Sequence, residues 1–204
     1  MKQTIIFDLG GVLIDWNPRY LYRKIFPDRE EMEYFLKSVC SLEWHVQMDG
    51  EKSFNDAISE LIPHHPEYSE QIRAYFERWE EMIGGDIPGS VKILEELKDA
   101  GYPLAALSNW SSETFPFVNA KYEFLDWFDP QIISGQVGLV KPDPDIYHLI
   151  LCQIDRDPEE CLFIDDVKGN IKAAADIGIK TIHYSSPRQL REDLEIQGIL
   201  SEGS

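Results

Sequence analysis

The residues with the greatest chemical reach stand at the ends of short apolar runs. Residues 3–8 (QTIIFD) end on Asp8, which is followed by Leu9 and the pair Gly10-Gly11. Residues 102–107 (YPLAAL) lead into Ser108-Asn109. Residues 161–164 (CLFI) lead into Asp165-Asp166, with Asn170 one helical turn on. Lys141 lies between them in VKPDPDIY. In open parallel α/β sheets, ligands bind at the carboxyl ends of the strands. Carboxylates bind magnesium, and a lysine beside a hydroxyl suits a phosphate, so the set is expected to form a phosphate-plus-metal site. Each group also has a plainer reading alone. Asp8 before two glycines suits a turn, SNWS suits a strand end with a helix cap, and a loop lysine is usually solvated. Two adjacent acids closing a buried strand repel each other without a cation, which favours a metal there.

The elements that must hold these groups follow from periodicity. Residues 3–8 predict a buried strand and then a tight turn. From Pro18 to about Ile83, apolar residues recur at helical spacing, as in Met32, Phe35, Leu36 and Val39, and predict about four helices. The run Gly84-Gly85-Asp86-Ile87-Pro88-Gly89 then punctuates the chain. Beyond it, helices over 91–98, 112–122, 143–153, 169–177 and 187–197 alternate with strands over 102–107, 130–134, 161–164 and 179–183. Such alternation implies right-handed βαβ units and a parallel sheet buried on both faces. The expected architecture is a doubly wound, Rossmann-like α/β core of residues 1–15 and 87–204, with a small helical cap, residues 16–86, inserted after the first strand.

Acidic residues outnumber basic ones 37 to 19, a formal net charge of −18, which disfavours nucleic acid and anionic lipid as partners. Cys40, Cys152 and Cys161 are odd in number and lack zinc spacing, so neither a disulfide framework nor a zinc site is expected. The apolar run before Asp8 is too short for a signal peptide, and no run approaches a membrane span. A cytoplasmic protein is expected, monomeric or a small homo-oligomer, with a small molecule as its partner.

FDLGGVL, LSNWS, VKPDPDIY and FIDD with Asn170 occur in this order over nearly the whole chain. They resemble the four motifs of the haloacid dehalogenase superfamily, and the helical block resembles the cap that many members insert after the first motif. The resemblance implies a magnesium-dependent phosphomonoesterase acting on a small phosphate ester. Asp8 would be the nucleophile, forming an aspartyl-phosphate. Ser108 would hydrogen-bond the transferring phosphoryl group, helped by the Asn109 backbone amide, and Lys141 would neutralise phosphate and nucleophile together. Asp8, the Gly10 carbonyl and the Asp165-Asp166 pair would hold the metal, with the direct ligand of that pair left open and Asn170 supporting it.

Gly10 stands where most phosphatases of this family carry a second aspartate, which protonates the leaving group. The departure resembles a group of sugar-phosphate phosphatases with Asp-x-Gly in the first motif. It also resembles the 2-haloacid dehalogenases, which use the same aspartate on carbon without metal; Asp165-Asp166 stands against that alternative. A catalytically impaired phosphometabolite-binding protein is a further alternative, opposed by the intact Asp8 and Lys141. Without the acid, aryl phosphates and sugar 1-phosphates are expected to react faster than alkyl phosphates. A side chain at position 10 is expected to clash with the turn that glycine permits. Asp15, Trp16, Arg19, Trp44, His45, Asp49 and Trp110 are candidates to line the pocket. Tryptophans are more often core anchors, and histidines more often surface or hydrogen-bonded groups, so the substrate is not readable from them.

Overall fold

A computed structural model describes residues 2–201. The chain opens with β1 (Thr4–Phe7) and β2 (Ile14–Trp16). A helical insert follows: α1 (Arg19–Tyr22), α2 (Arg29–Ser38), α3 (Leu42–His45), α4 (Phe54–Leu61) and α5 (Ser69–Glu77). It ends at β3 (Ile83–Asp86), which pairs antiparallel with β2. Then come α6 (Pro88–Asp99), β4 (Leu104–Ser108), α7 (Phe115–Asn119), β5 (Gln131–Ile133) and α8 (Ser134–Val137). The chain closes with α9 (Pro144–Ile154), β6 (Cys161–Asp165), α10 (Lys168–Asp176), β7 (Lys180–His183) and α11 (Pro187–Ile196).

Five strands make one parallel sheet in the order β5-β4-β1-β6-β7. The central strands TIIF, LAALS and CLFID are buried at every position, as a sheet covered by helices on both faces requires. Successive side chains point to opposite faces, and the packing divides accordingly. Ile5, Phe7, Leu104, Ala106, Leu162 and Ile164 join one cluster, while Ile6, Ala105, Leu107 and Phe163 join another with α9 and α10. The first cluster runs on without a break into Tyr22, Phe35, Phe54 and Tyr75 of the insert. Insert and sheet therefore share one apolar core. Among the described residues, no helix is long and apolar enough to cross a membrane.

The α/β architecture is the expected doubly wound sheet, with differences in detail. The β2–β3 ribbon is absent from the sequence reading, which took residues 84–89 as punctuation. Gly84 and Gly85 carry no strand signal, and the pairing with Ile14 and Asp15 exists only through the partner segment. The insert holds three helices of eight to ten residues and two single turns, against about four expected. Trp44 and His45 sit on α3, whose N-terminus Ser41 caps through Trp44 N. The helix expected over 112–122 is only Phe115–Asn119, followed by a 3-10 turn over Glu123–Trp127.

Candidate active site

Strand order decides which groups meet. β1 lies between β4 and β6, so Asp8, one residue past β1, is flanked by Ser108 at the end of β4 and Asp165 at the end of β6. Connections leave the sheet in opposite directions on either side of β1, which opens a crevice at the carboxyl ends of these strands. The Asp8 amide is held by Ile164 O at 2.9 Å, which ties the residue to β6.

The Asp8 carboxylate is oriented through one oxygen. Oδ1 accepts hydrogen bonds from Leu9 N at 2.7 Å and Ser108 Oγ at 2.6 Å, and Lys141 Nζ lies 3.1 Å away. Oδ2 is the less engaged oxygen. Lys141 is buried, donates to Leu107 O at 2.8 Å and pairs with Asp165 Oδ2 at 2.7 Å. Its loop is held by Asn109, whose side chain accepts from Lys141 N at 2.8 Å and donates to Lys141 O at 2.9 Å. Asp165 is saturated: Lys141, Val167 N and the Asn170 amide occupy its oxygens.

These contacts set the charges. Burial pushes the Asp8 carboxyl up to about 7, opposed by Lys141 and the Ser108 hydrogen bond and aided by Asp165. For Lys141, burial favours the neutral amine, but Asp8 and Asp165 outweigh it and hold the group above the usual lysine value. Asp166 is raised by burial and then by Asp165 beside it. Among the described residues, Asp8, Asp165 and Asp166 bring carboxylate oxygens within 4.8 Å of one another. This hard-oxygen set fits a magnesium ion, which would also offset the raised carboxyls.

A cavity of about 510 Å³ opens over this floor, with Asp8, Gly10, Asn109, Lys141 and Asp166 on its lining. Asp165 and Ser108 are buried and do not line it. Of the seven further pocket candidates, Trp16, His45, Asp49 and Trp110 line the cavity; Asp15, Arg19 and Trp44 do not. Asp15 accepts from Tyr20 OH at 2.6 Å, Arg19 pairs with Glu33 at 2.6 Å, and Trp44 packs edge-on against Tyr75. Sequence reading missed Trp79 and Thr114 as lining residues. Trp79 falls at helical spacing in the apolar pattern of residues 18–83, and its 3 % exposure fits a core residue equally well. Among the described residues, the indole N–H groups of Trp16, Trp79 and Trp110 are buried without a hydrogen-bond partner.

The two glycines after Asp8 differ. Gly11 has φ 76°, and a Cβ there would lie 2.6 Å from Asp166 Oδ2. Gly10 has no such constraint, and a Cβ on it would stand 3.6 Å from the Trp110 ring, an ordinary contact. The clash expected at position 10 therefore belongs to position 11.

A family model described as haloacid dehalogenase-like hydrolase matches residues 2–178. The chain is 28% identical over 183 residues to a sesquiterpene phosphatase of Aspergillus oryzae, covering 90% of each. It is 26% identical over 188 residues to a phosphorylated carbohydrates phosphatase of Thermotoga maritima, covering 89% of this chain and 84% of the relative. It also matches mouse acyl-CoA dehydrogenase family member 10 at 27% identity, but spans only 19% of that protein's length. The fold is shared with a haloacid dehalogenase family enzyme of Bacteroides thetaiotaomicron, solved with magnesium and inorganic phosphate. There the TM-score is 0.68 and the identity 24%, over 91% of this chain and 96% of that one.

Proposed function

The chain belongs to the haloacid dehalogenase-like hydrolases, and we propose that it is a magnesium-dependent phosphomonoesterase acting on a small phosphorylated metabolite, a sugar phosphate such as a sugar 1-phosphate. The observation that carries the reading is Asp8, held through Oδ1 by Ser108 and Lys141 beneath a cavity it shares with Asp166. In this reading residues 16–86 act as a cap over a core of residues 1–15 and 87–204. The free cysteines, Cys40, Cys152 and Cys161, support a cytoplasmic location.

Asp8 Oδ2 attacks phosphorus, the bond to the ester oxygen breaks, and an aspartyl-phosphate forms. Water then attacks that intermediate and releases phosphate and Asp8. Lys141 stays charged throughout and stabilises the charge that gathers on the phosphoryl oxygens. The Ser108 hydroxyl, 2.6 Å from Asp8, turns to the phosphoryl group that takes Asp8's place as acceptor. Asp8, the Gly10 carbonyl and Asp166 would hold the metal. Asp165 lies close enough to share it, but its oxygens are committed to Lys141, Val167 and Asn170, so its part is to fix Lys141. Bound magnesium supplies positive charge that draws phosphate into an otherwise acidic site.

Two relatives named as phosphatases, one of phosphorylated carbohydrates and one of a sesquiterpene, support the reaction and differ in the body of the substrate. Trp16, Trp79 and Trp110 line the cavity with aromatic surface, against which the ring of a sugar can pack. The test is phosphate release from a panel of sugar 1-phosphates, sugar 6-phosphates and an aryl phosphate, with magnesium and with chelator. Release that requires magnesium is expected. Halide release from 2-chloropropionate in chelator, without phosphate release from any ester, overturns the proposal in favour of the dehalogenase reaction.

A further inference from the structure

An ester oxygen leaving phosphorus needs a proton, and the floor of the site has none to give. Lys141 is committed to Asp8, Asp165 and the Leu107 carbonyl. Asp8 is the nucleophile, Asp166 belongs to the metal, and Gly10 has no side chain. Across the same cavity stands a pair that this mechanism does not use. His45 on α3 and Asp49, four residues on, both line it, with His45 Nε2 3.6 Å from Asp49 Oδ1. The His45 ring is fixed on its other edge and one face: Nδ1 lies 3.1 Å from Tyr75 OH, and the ring stacks on Trp16 at 4.7 Å.

The pair is also tied to the catalytic floor. Ser134 Oγ donates to the Asp49 carbonyl and accepts from Trp110 N, two residues beyond Ser108. The core thus holds the Asp49 backbone in place although it belongs to the insert. Asp49 is close enough to Lys141 to feel its charge; the charged group that acts on His45 is Asp49 itself. Tyr75 completes the set of titratable neighbours and is itself influenced by Cys40. Burial raises the Asp49 carboxyl and lowers His45, so Asp49 keeps a proton further toward neutrality than an exposed carboxyl does.

We propose that Asp49 is the general acid of the phosphoryl transfer, taking over the work of a carboxyl absent at Gly10, and that His45 is its positioning residue. The inference rests on the phosphomonoesterase reading. As Asp8 Oδ2 bonds to phosphorus and the ester P–O bond breaks, the Asp49 proton passes to the departing oxygen, which leaves as an alcohol. In the second step Asp49, now ionised, takes a proton from the attacking water, so phosphate leaves and the starting state returns. The substrate is then not confined to esters with acidic leaving groups, and ordinary alkyl and sugar 6-phosphates come within reach.

The experiment compares kcat/KM for an aryl phosphate, which needs little protonation, with that for an alkyl phosphate, in the unaltered chain and in Asp49→Asn. General acid catalysis typically contributes about 10²–10⁴-fold, so the alkyl rate is expected to fall by that order and the aryl rate by less than about tenfold. The ratio of the two rates does not depend on how much of the variant is folded. His45→Gln moves the ratio the same way by less. Gly10→Asp, placed in the Asp49→Asn chain, restores part of the alkyl rate, since there is room for its Cβ. Equal losses on both substrates, or no loss on either, overturn the assignment to Asp49 while leaving the phosphatase reading intact. No turnover of either phosphate by the unaltered chain overturns that reading, and this assignment with it.

Discussion

The floor and the wall of the cavity are built in opposite ways. On the floor, Asp8, Lys141 and Asp165 form a buried chain of contacts at 2.7–3.1 Å, locked further by Ser108, Asn109 and Asn170. On the wall, Trp79 meets Trp110 edge-on at 5.8 Å and Trp16 stacks on His45, with three indole donors left without partners. A fully satisfied polar network rigidifies its members, whereas aromatic faces bind through contact area and fit. The floor is preorganised for the proposed reaction, and the wall offers aromatic surface against which the body of a substrate can pack. Altering the floor should therefore cost the reaction itself, and altering the wall should cost selection among substrates.

The largest effect is expected from Asp8→Asn, which removes the proposed nucleophile at nearly constant volume. Turnover should fall by roughly 10⁴-fold or more, the scale seen when members of a catalytic unit are removed. The same variant should be more stable than the unaltered chain without metal. The folded state holds the Asp8 proton up to about 7 against an ordinary 3.8, so the penalty is absent below pH 4 and grows as pH rises to 7. Melting curves in chelator at pH 7.5 should show the Asn variant higher by a few degrees, with that advantage gone near pH 4. A lower melting temperature for the variant at pH 7.5 contradicts the buried carboxyl described above.

Lys141→Met comes next. Removing one partner of a buried ion pair costs about 3–5 kcal/mol, because Asp8 and Asp165 are left facing each other unpaired. Urea denaturation should show that loss; a change below about 1 kcal/mol, the worth of a surface pair, places Lys141 outside the network. Asp166→Asn and Asp165→Asn sharpen the division within the floor. The first should raise the magnesium concentration needed for half-maximal activity by at least about 10–100-fold, the range that losing even an indirect partner of a metal costs, with little change in stability. The second should mainly destabilise the fold. If the two variants exchange these behaviours, Asp165 is the direct ligand.

The smallest effect belongs to the wall. Trp79→Leu should raise KM for the best phosphate ester of the panel by about tenfold, a loss near 1.4 kcal/mol, while phosphate inhibition stays unchanged. Equal weakening of both places Trp79 in the scaffold of the floor.

Much of the floor was legible in the residues themselves. Asp8, Ser108 and Asp165 follow the short apolar runs IIF, LAAL and CLFI, and such runs become central strands of a covered parallel sheet whose carboxyl ends lie together. Lys141 and Asn170 were placed with them through the motifs. The Asn109 side chain was not read as the clamp on the Lys141 loop, because a hydrogen-bonded pair 32 residues apart has no signature in spacing. Gly10 and Gly11 look alike in the chain, and only the backbone conformation and the nearby Asp166 separate them.

The sequence by itself determined the α/β class, the strands that end in reactive groups and the helical texture of residues 18–83, since burial and periodicity act locally. It could not place the β2–β3 ribbon, whose glycine-bearing strand owes its form to hydrogen bonds with a segment some 70 residues away. Nor could it choose among Asp15, Trp16, Arg19, Trp44, His45, Asp49 and Trp110. A tryptophan or a carboxylate has the same local propensity whether it faces a core, a neighbour or a cavity. Tertiary packing chose. Tyr20 drew Asp15 away, Glu33 paired with Arg19, and Ser134 joined the Asp49 loop to the strand end beside Asp8.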